Sequence, residues 1–304
     1  MNQKKVVVVF GATGLQGGSV ARALVQSGEF SVRGVTRDLQ SHKAQRLRDD
    51  GVDLMNYDLN DRSGLQLILH GAYACFVNTA TNFEDANCLD TEIAQGCLIA
   101  DYCKSEGVHH VVFSSQLHSQ KVCSIMARHL VAKAEIELYM RDLGLPLTSL
   151  IMPIYYENIL DLLRPCTMDG RNFDLEIPMG ITPLDMMSVE DVGPVVVNIL
   201  RNRSIFLGKT ESICGDKITV REMAEVLSRY LRPKFFRDKQ LTVHEFYQQR
   251  SCDLKGCIDW ANMFQFFQRV DQRYNLSITK QMNPNLRSFE DWVKTNAQAI
   301  NAAL

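Results

Sequence analysis

The chain has 304 residues, 46% hydrophobic and 22% charged, with 33 basic against 35 acidic side chains and a net charge of −2. Such a chain buries a sizeable core as one large or two modest domains, and its charge balance excludes a general nucleic-acid surface, which needs a concentrated basic excess. No stretch approaches the roughly 18 apolar residues of a membrane span, and the apolar run near the start is too short for a signal peptide, so the cytoplasm, with the nucleus as a second compartment, is the expected location. Nine cysteines without a Cys-x-x-Cys pair signal neither a disulfide framework nor a zinc site, and no metal is expected.

Val6-Val7-Val8-Val9-Phe10 reads as a strand buried on both faces, the first of a parallel sheet. Gly11-x-x-Gly14-x-x-Gly17 follows at once. Gly11 permits the tight turn, Gly14 lets backbone approach a phosphate, and Gly17 lets the helix read from Gly18 to Ser27 pack closely. That helix aims its N-terminal amides at the same spot, so a nucleotide pyrophosphate is the expected ligand. Strands near 5–10, 31–36, 52–57, 73–79, 109–115 and 147–152 then alternate with helices near 17–27, 41–50, 62–70, 84–106 and 126–143. The fold class is α/β, a doubly wound parallel (Rossmann) sheet over 1–152, followed by a smaller mixed α/β lobe over 153–304 that can share segments with the first. In that lobe Ser188 to Asp191, Thr219 to Glu222 and Ser288 to Asp291 carry capping signatures that open helices, with extended pieces near 172–178 and 211–215. Pro178 to Met187, with three methionines, reads either as a flexible apolar lip or as core filling.

Ligands of such sheets sit beyond the carboxyl ends of the strands. Thr36-Arg37-Asp38 ends the second strand. Arg37 stands where the 2′-phosphate of NADP would lie, with Arg33, His42, Lys43 and Arg46 adding charge, and NADP(H) is favoured. Asp38 would serve an NAD ribose instead if the strand ended one residue differently. Asp58 and Leu59 end the third strand beside an adenine, and Asn78-Thr79-Ala80 ends the fourth, where small residues let a cofactor pass.

Gly-Ala-Thr-Gly at 11–14 resembles the short-chain dehydrogenase/reductase superfamily, whose helix after the fifth strand carries Tyr-x-x-x-Lys. Here that helix reads His129-x-x-x-Lys133. The resemblance implies that Lys133 holds the nicotinamide ribose and that Ser115, ending the fifth strand beside Ser114, stands at the catalytic serine position. Imidazole titrates near neutrality, but its reach differs from that of a phenol, so His129 reads either as a substitute acid or as a residue without catalytic duty.

Gly11 to Arg22 with its Gln-Gly-Gly continuation, Val35-Thr36-Arg37, His129-x-x-x-Lys133, Pro153-Ile-Tyr-Tyr-Glu-Asn158 and Asp185 to Pro194 together resemble the NmrA-like family, in particular its vertebrate redox-sensor branch. The resemblance runs from Lys4 to about Trp292. It implies NADP(H) contacts at Gly11, Ala12, Thr13, Gly14, Leu15, Gln16, Arg37, Asp38, Leu39, Gln40, Ser41, Thr79, Lys133, Tyr155, Tyr156, Glu157 and Asn158. It further implies a regulatory protein without evident turnover that reports redox state through protein partners, with a homodimer as one arrangement. Ala94 stands where a close relative carries a lysine, which implies weaker cofactor binding if that lysine touches the cofactor. The alternative is an NADP-dependent reductase of a quinone or similar carbonyl compound, with Ser115, His129 and Lys133 as its machinery.

Overall fold

The computed structural model describes residues 4–58, 64–167 and 169–304. Its elements alternate through the first half: β1 (Lys5–Val9), α1 (Leu15–Gln26), β2 (Phe30–Thr36), α2 (His42–Asp49), β3 (Asp53–Asn56), α3 (Leu65–Leu69), β4 (Ala74–Val77), α4 (Cys88–Ser105), β5 (His110–Ser115), α5 (Ser119–Cys123), α6 (Arg128–Asp142) and β6 (Leu147–Ile151). The second half holds β7 (Ile154–Tyr155), β8 (Cys166–Thr167), β9 (Asn172–Leu175), β10 (Leu184–Met187), α7 (Val192–Arg201), α8 (Arg203–Phe206), β11 (Thr210–Ser212), β12 (Asp216–Ile218), α9 (Val220–Tyr230), β13 (Phe235–Asp238), α10 (Val243–Arg250), α11 (Cys257–Arg269), α12 (Leu276–Met282) and α13 (Phe289–Ala303).

Seven strands form the main sheet in the order β11-β6-β5-β4-β1-β2-β3, and β1 to β6 pair in parallel. This is the expected doubly wound sheet. Val7, Val8 and Val9 of β1 are each fully buried, as a strand covered on both faces requires. Because β1 lies between β2 and β4, the chain reverses direction there, and the switch point opens a crevice at the carboxyl ends of β1 and β4.

The chain divides into two compact units, one of 1–118, 128–152 and 189–211, the other of 119–127, 153–188 and 212–304. Within the first, α7 lies against α1: a Cβ on Gly193 would sit 2.4 Å from the Ser19 carbonyl oxygen, and the Gly193 amide donates to Ser19 Oγ at 3.0 Å. Gly96 plays the same part between α4 and α6, where a Cβ would fall 2.5 Å from Ile136. The second unit carries two three-stranded sheets, β12-β10-β7 and β13-β9-β8.

Two local expectations change. Helix α1 begins at Leu15, not Gly18, because Gly14 is extended (φ −80°, ψ 174°) and serves as its N-cap. Ser188 opens a 3₁₀ turn over Val189–Asp191 that leads into α7, and its hydroxyl donates to Glu157 Oε1 at 2.7 Å. The Pro178–Met187 lip is absent: Met186 and Met187 lie in β10, and with Met179 they are at most 1% exposed, so they fill the core. Thr219 and Ser288 do form capping boxes with Glu222 and Asp291.

Candidate functional site

A cleft of about 880 Å³ opens at the switch point, lined among others by Gly11, Thr13, Gly14, Arg37, Tyr57, Asp58, Thr81 and Glu92. Gly11 adopts φ +64°, and its carbonyl accepts from the Gly14 amide at 2.9 Å, which closes the turn. A Cβ on Gly17 would sit 2.2 Å from the same carbonyl oxygen. No side chain fits there, so α1 starts hard against the turn, with its first amides lacking intrahelical partners and directed at the turn. The glycine cradle and helix end suit a phosphate group. Ala12 lies beneath it, fully buried, and Thr13 Oγ1 is 3.0 Å from Thr36 Oγ1. Leu15 is 55% exposed, and Gln16 is half-buried.

Arg37 is exposed and lines the cleft. Its neighbours divide. Asp38 Oδ1 accepts from the Gln40 amide at 2.8 Å, and Ser41 caps α2 by accepting from the Ala44 amide, so these two side chains hold the turn. The Leu39 carbonyl accepts from Arg48 at 2.8 Å. His42, Lys43 and Arg46 are exposed on α2. Arg33, expected to add charge here, donates instead to the carbonyls of Ile68 and His70 at the end of α3. Asp58 and Tyr57 form the wall opposite the turn, while Leu59 lies outside the described residues.

Beyond β4 the cleft is polar. Glu92, in the second turn of α4, is 1% exposed. Its Oε1 accepts from Lys133 Nζ at 2.6 Å and from Thr79 Oγ1 at 2.6 Å, and its Oε2 accepts from Thr81 Oγ1. Burial by itself would raise the Glu92 carboxyl, yet the Lys133 charge and these hydrogen bonds outweigh it and hold the group below its ordinary range. At the rim, Asp85 accepts from Thr91 Oγ1 at 2.6 Å and from the Asn87 amide at 2.8 Å, which also lowers its carboxyl.

Sequence reasoning missed Glu92, though a signal exists. Buried positions of α4 fall at Cys88, Glu92, Gly96, Ile99, Ala100 and Cys103, a core-facing stripe at helical spacing in which one member is a carboxylate. A charge on such a stripe needs a partner. Ala94 is exposed and is not among the cleft-lining residues.

His129 and Lys133 share one face of α6, but their surroundings differ. His129 is 9% exposed and packs edge-on against Phe83, the ring centroids 5.7 Å apart. The hydroxyl of Ser115 donates to Glu137, whose Oε1 is gripped by Arg141 through Nε at 2.9 Å and Nη2 at 2.7 Å. Ser115 is fully buried and absent from the cleft wall. Its hydroxyl is thus engaged in a part-buried side-chain pair.

Tyr155 to Asn158 belong to the second unit. Tyr156 is fully buried, packs on Phe289 and Trp292, and donates to the Arg287 carbonyl at 3.2 Å. That ring is core. Glu157 Oε1 accepts from Trp292 Nε1 at 3.0 Å as well as from Ser188, and Asn158 Oδ1 accepts from the Tyr155 amide at 2.9 Å. Burial, with Glu157 beside it, pushes the Tyr155 phenol far above its ordinary value.

Among the described residues no cluster of ligating side chains could hold a metal, and no helix is long and apolar enough to cross a membrane.

Residues 3–293 match the NmrA-like family. The chain belongs to that family. It is 34% identical over 165 residues to an NmrA-like family domain-containing oxidoreductase, himF, of Aspergillus japonicus, covering 52% of this chain and 49% of that protein. The chain thus spans about half the length of the first curated relatives it matches. An NmrA-like family domain-containing protein of Dictyostelium discoideum is 26% identical over 241 residues, 76% of this chain and 78% of that one. Among solved structures, the negative transcriptional regulator NmrA in complex with NADP superposes with a TM-score of 0.83 at 21% identity, covering 99% of this chain and 98% of that one. The same regulator with NAD gives 0.84. At this identity the likeness establishes the fold alone.

Proposed function

We propose that this NmrA-like protein binds NADP(H) in the β1–β4 cleft and acts as a redox-responsive regulator through protein partners, without turning the cofactor over. Gly14, Leu15 and Gln16 would hold the pyrophosphate by their backbone, Arg37 the 2′-phosphate, Tyr57 and Asp58 the adenine side, and Lys133 the nicotinamide ribose. When bound, the cofactor supplies a hydride acceptor or donor. The observation that carries the regulatory reading is the Lys133–Glu92 ion pair of 2.6 Å. In a reductase the lysine's charge lowers the pKa of a neighbouring proton donor. Here that charge is balanced by a buried carboxylate, His129 is packed on Phe83, and Ser115 is engaged by Glu137. Regulation then requires a partner that distinguishes the occupied protein from the empty one.

The rival reading, an NADP-dependent reductase of a quinone or similar carbonyl compound, draws on relatives such as himF that are named oxidoreductases. One measurement tests the cofactor and a second separates the readings. Calorimetric titration should show tighter binding of NADPH than NADH, and Arg37→Glu should weaken NADPH about 10- to 100-fold while changing NADH little, the range expected for losing charge-assisted bonds to a phosphate. An unchanged NADPH affinity removes the 2′-phosphate assignment. Steady NADPH consumption with a panel of quinones and aldehydes, abolished by His129→Ala, would replace the regulator by the reductase.

A further inference from the structure

The polar end of the cleft is organised by a residue at its back. Both oxygens of Glu92 are engaged, Oε1 by Lys133 and Thr79 and Oε2 by Thr81, while only 1% of its side chain and 14% of that of Lys133 are exposed. A buried ion pair is held only where both charges are well bonded, and removing one partner leaves the other buried and uncompensated. The direction of each hydrogen bond matters here. A carboxylate is an acceptor only, so both threonine hydroxyls must donate to it. Thr81 lines the cleft, so its lone pairs are left to a ligand, whereas Thr79 is 2% exposed and only braces the carboxylate from behind. Lys133 gives one of its three N–H donors to Glu92 and keeps two.

We propose that Glu92 is the positioning residue of this cleft, fixing Lys133 as a donor and Thr81 as an acceptor, with Thr79 bracing the carboxylate, so that its polar end is complementary to a vicinal diol such as a ribose. Glu92 acts through Lys133 and Thr81 and not by bonding the ligand itself. The inference rests on the reading that a nucleotide occupies the cleft, because the ribose is the diol such a ligand carries. Replacement of Glu92 by glutamine tests the direction argument directly: an amide has N–H groups that demand an acceptor, so one threonine hydroxyl must turn round, and the charge that holds Lys133 is lost.

The experiment combines nucleotide titration with a chemical probe of the lysine. Glu92→Gln is expected to weaken NADPH binding at least 10-fold, Glu92→Asp to fall between it and the parent, and Glu92→Gln in a Lys133→Met background to cause little further loss. Acylation of Lys133 by limiting acetic anhydride, read by mass spectrometry, should run several-fold faster in Glu92→Gln than in the parent. Full additivity of the Glu92 and Lys133 losses, or parental affinity together with a parental acylation rate, overturns the proposal. If the parent protein binds neither NADPH nor NADH, the nucleotide reading falls by itself, and the acylation comparison still decides whether Glu92 positions Lys133. Urea unfolding of each variant accompanies the titrations. Should Glu92→Gln fail to fold, Glu92→Asp carries the test, with an affinity and acylation rate identical to the parent as the overturning result.

Discussion

Asp185 lies in β10, with its Oδ1 buried and without a hydrogen-bond partner among the described residues, and its nearest cation, Lys217, stands 3.9 Å away. Burial pushes its carboxyl up to about 6, with Lys217 opposing and Asp271 adding to the rise. In the unfolded chain the same group titrates near 3.8. Below that value both states hold the proton; between it and 6 only the folded state does, so stability falls as pH rises through this window and the full penalty applies above it. Asp185→Asn should therefore stabilise the protein at pH 7.5 by about 1–2 kcal/mol, after allowing for partial solvent exposure, and give no gain at pH 4. Urea unfolding at the two pH values checks this, and an equal gain at both would show that charge burial is not the cause. Glu92 is the reverse case. Its folded carboxyl is lowered, so its contribution is present above the ordinary carboxylate range and disappears as pH falls through the lower, folded value.

At the scale of elements, helix crossings govern the first unit. Gly193→Ala would place a methyl 2.4 Å from the Ser19 carbonyl and 2.7 Å from Ala23 Cβ. The first obstacle is backbone, so α7 must move away from α1 and stretch the Gly193 amide bond to Ser19 Oγ. The expected cost is about 2–3 kcal/mol of stability, measured by urea denaturation, with weaker NADPH binding because α1 carries the glycine turn at its start. These observations also show which elements could be read in advance. The alternation of β1 to β6 was legible because continuous valine runs, glycine turns and helical spacing are local signals. The second unit was not, since β7 and β8 have two residues each and β12 has three, too few to display a period. Long-range pairing was equally hidden. The partner of Lys133 stands 41 residues away on another helix, and the carboxylates served by the hydroxyls of Ser188 and Ser115, Glu157 and Glu137, lie 31 and 22 residues away. In each case the residue type was visible and its partner was a property of the fold.

The whole chain is threaded through both units, each built from three separated segments. A cut after Met152, which reads in sequence as the end of a nucleotide-binding domain, leaves β1 to β6 intact but removes 189–211, the segment carrying α7. Val195, Val196 and Ile199 of that helix are fully buried, and α1 would lose its packing against Gly193 together with the Arg22–Glu190 and Arg201–Glu29 ion pairs. The two ion pairs are exposed and matter little; the uncovered apolar face of α1 is the larger loss, since roughly 25 cal/mol returns per Å² of apolar surface re-exposed to water. A stability of about 5–15 kcal/mol does not survive the removal of a buried ten-residue helix. The fragment 1–152 is therefore expected to be aggregated or molten, with weak near-ultraviolet circular dichroism and no NADPH binding by calorimetry. Addition of a peptide spanning 189–211 should restore part of both signals. A fragment that folds cooperatively and binds nucleotide unaided would show that the sheet of the first unit needs only its consecutive strands and helices, and that α7 is accessory to it.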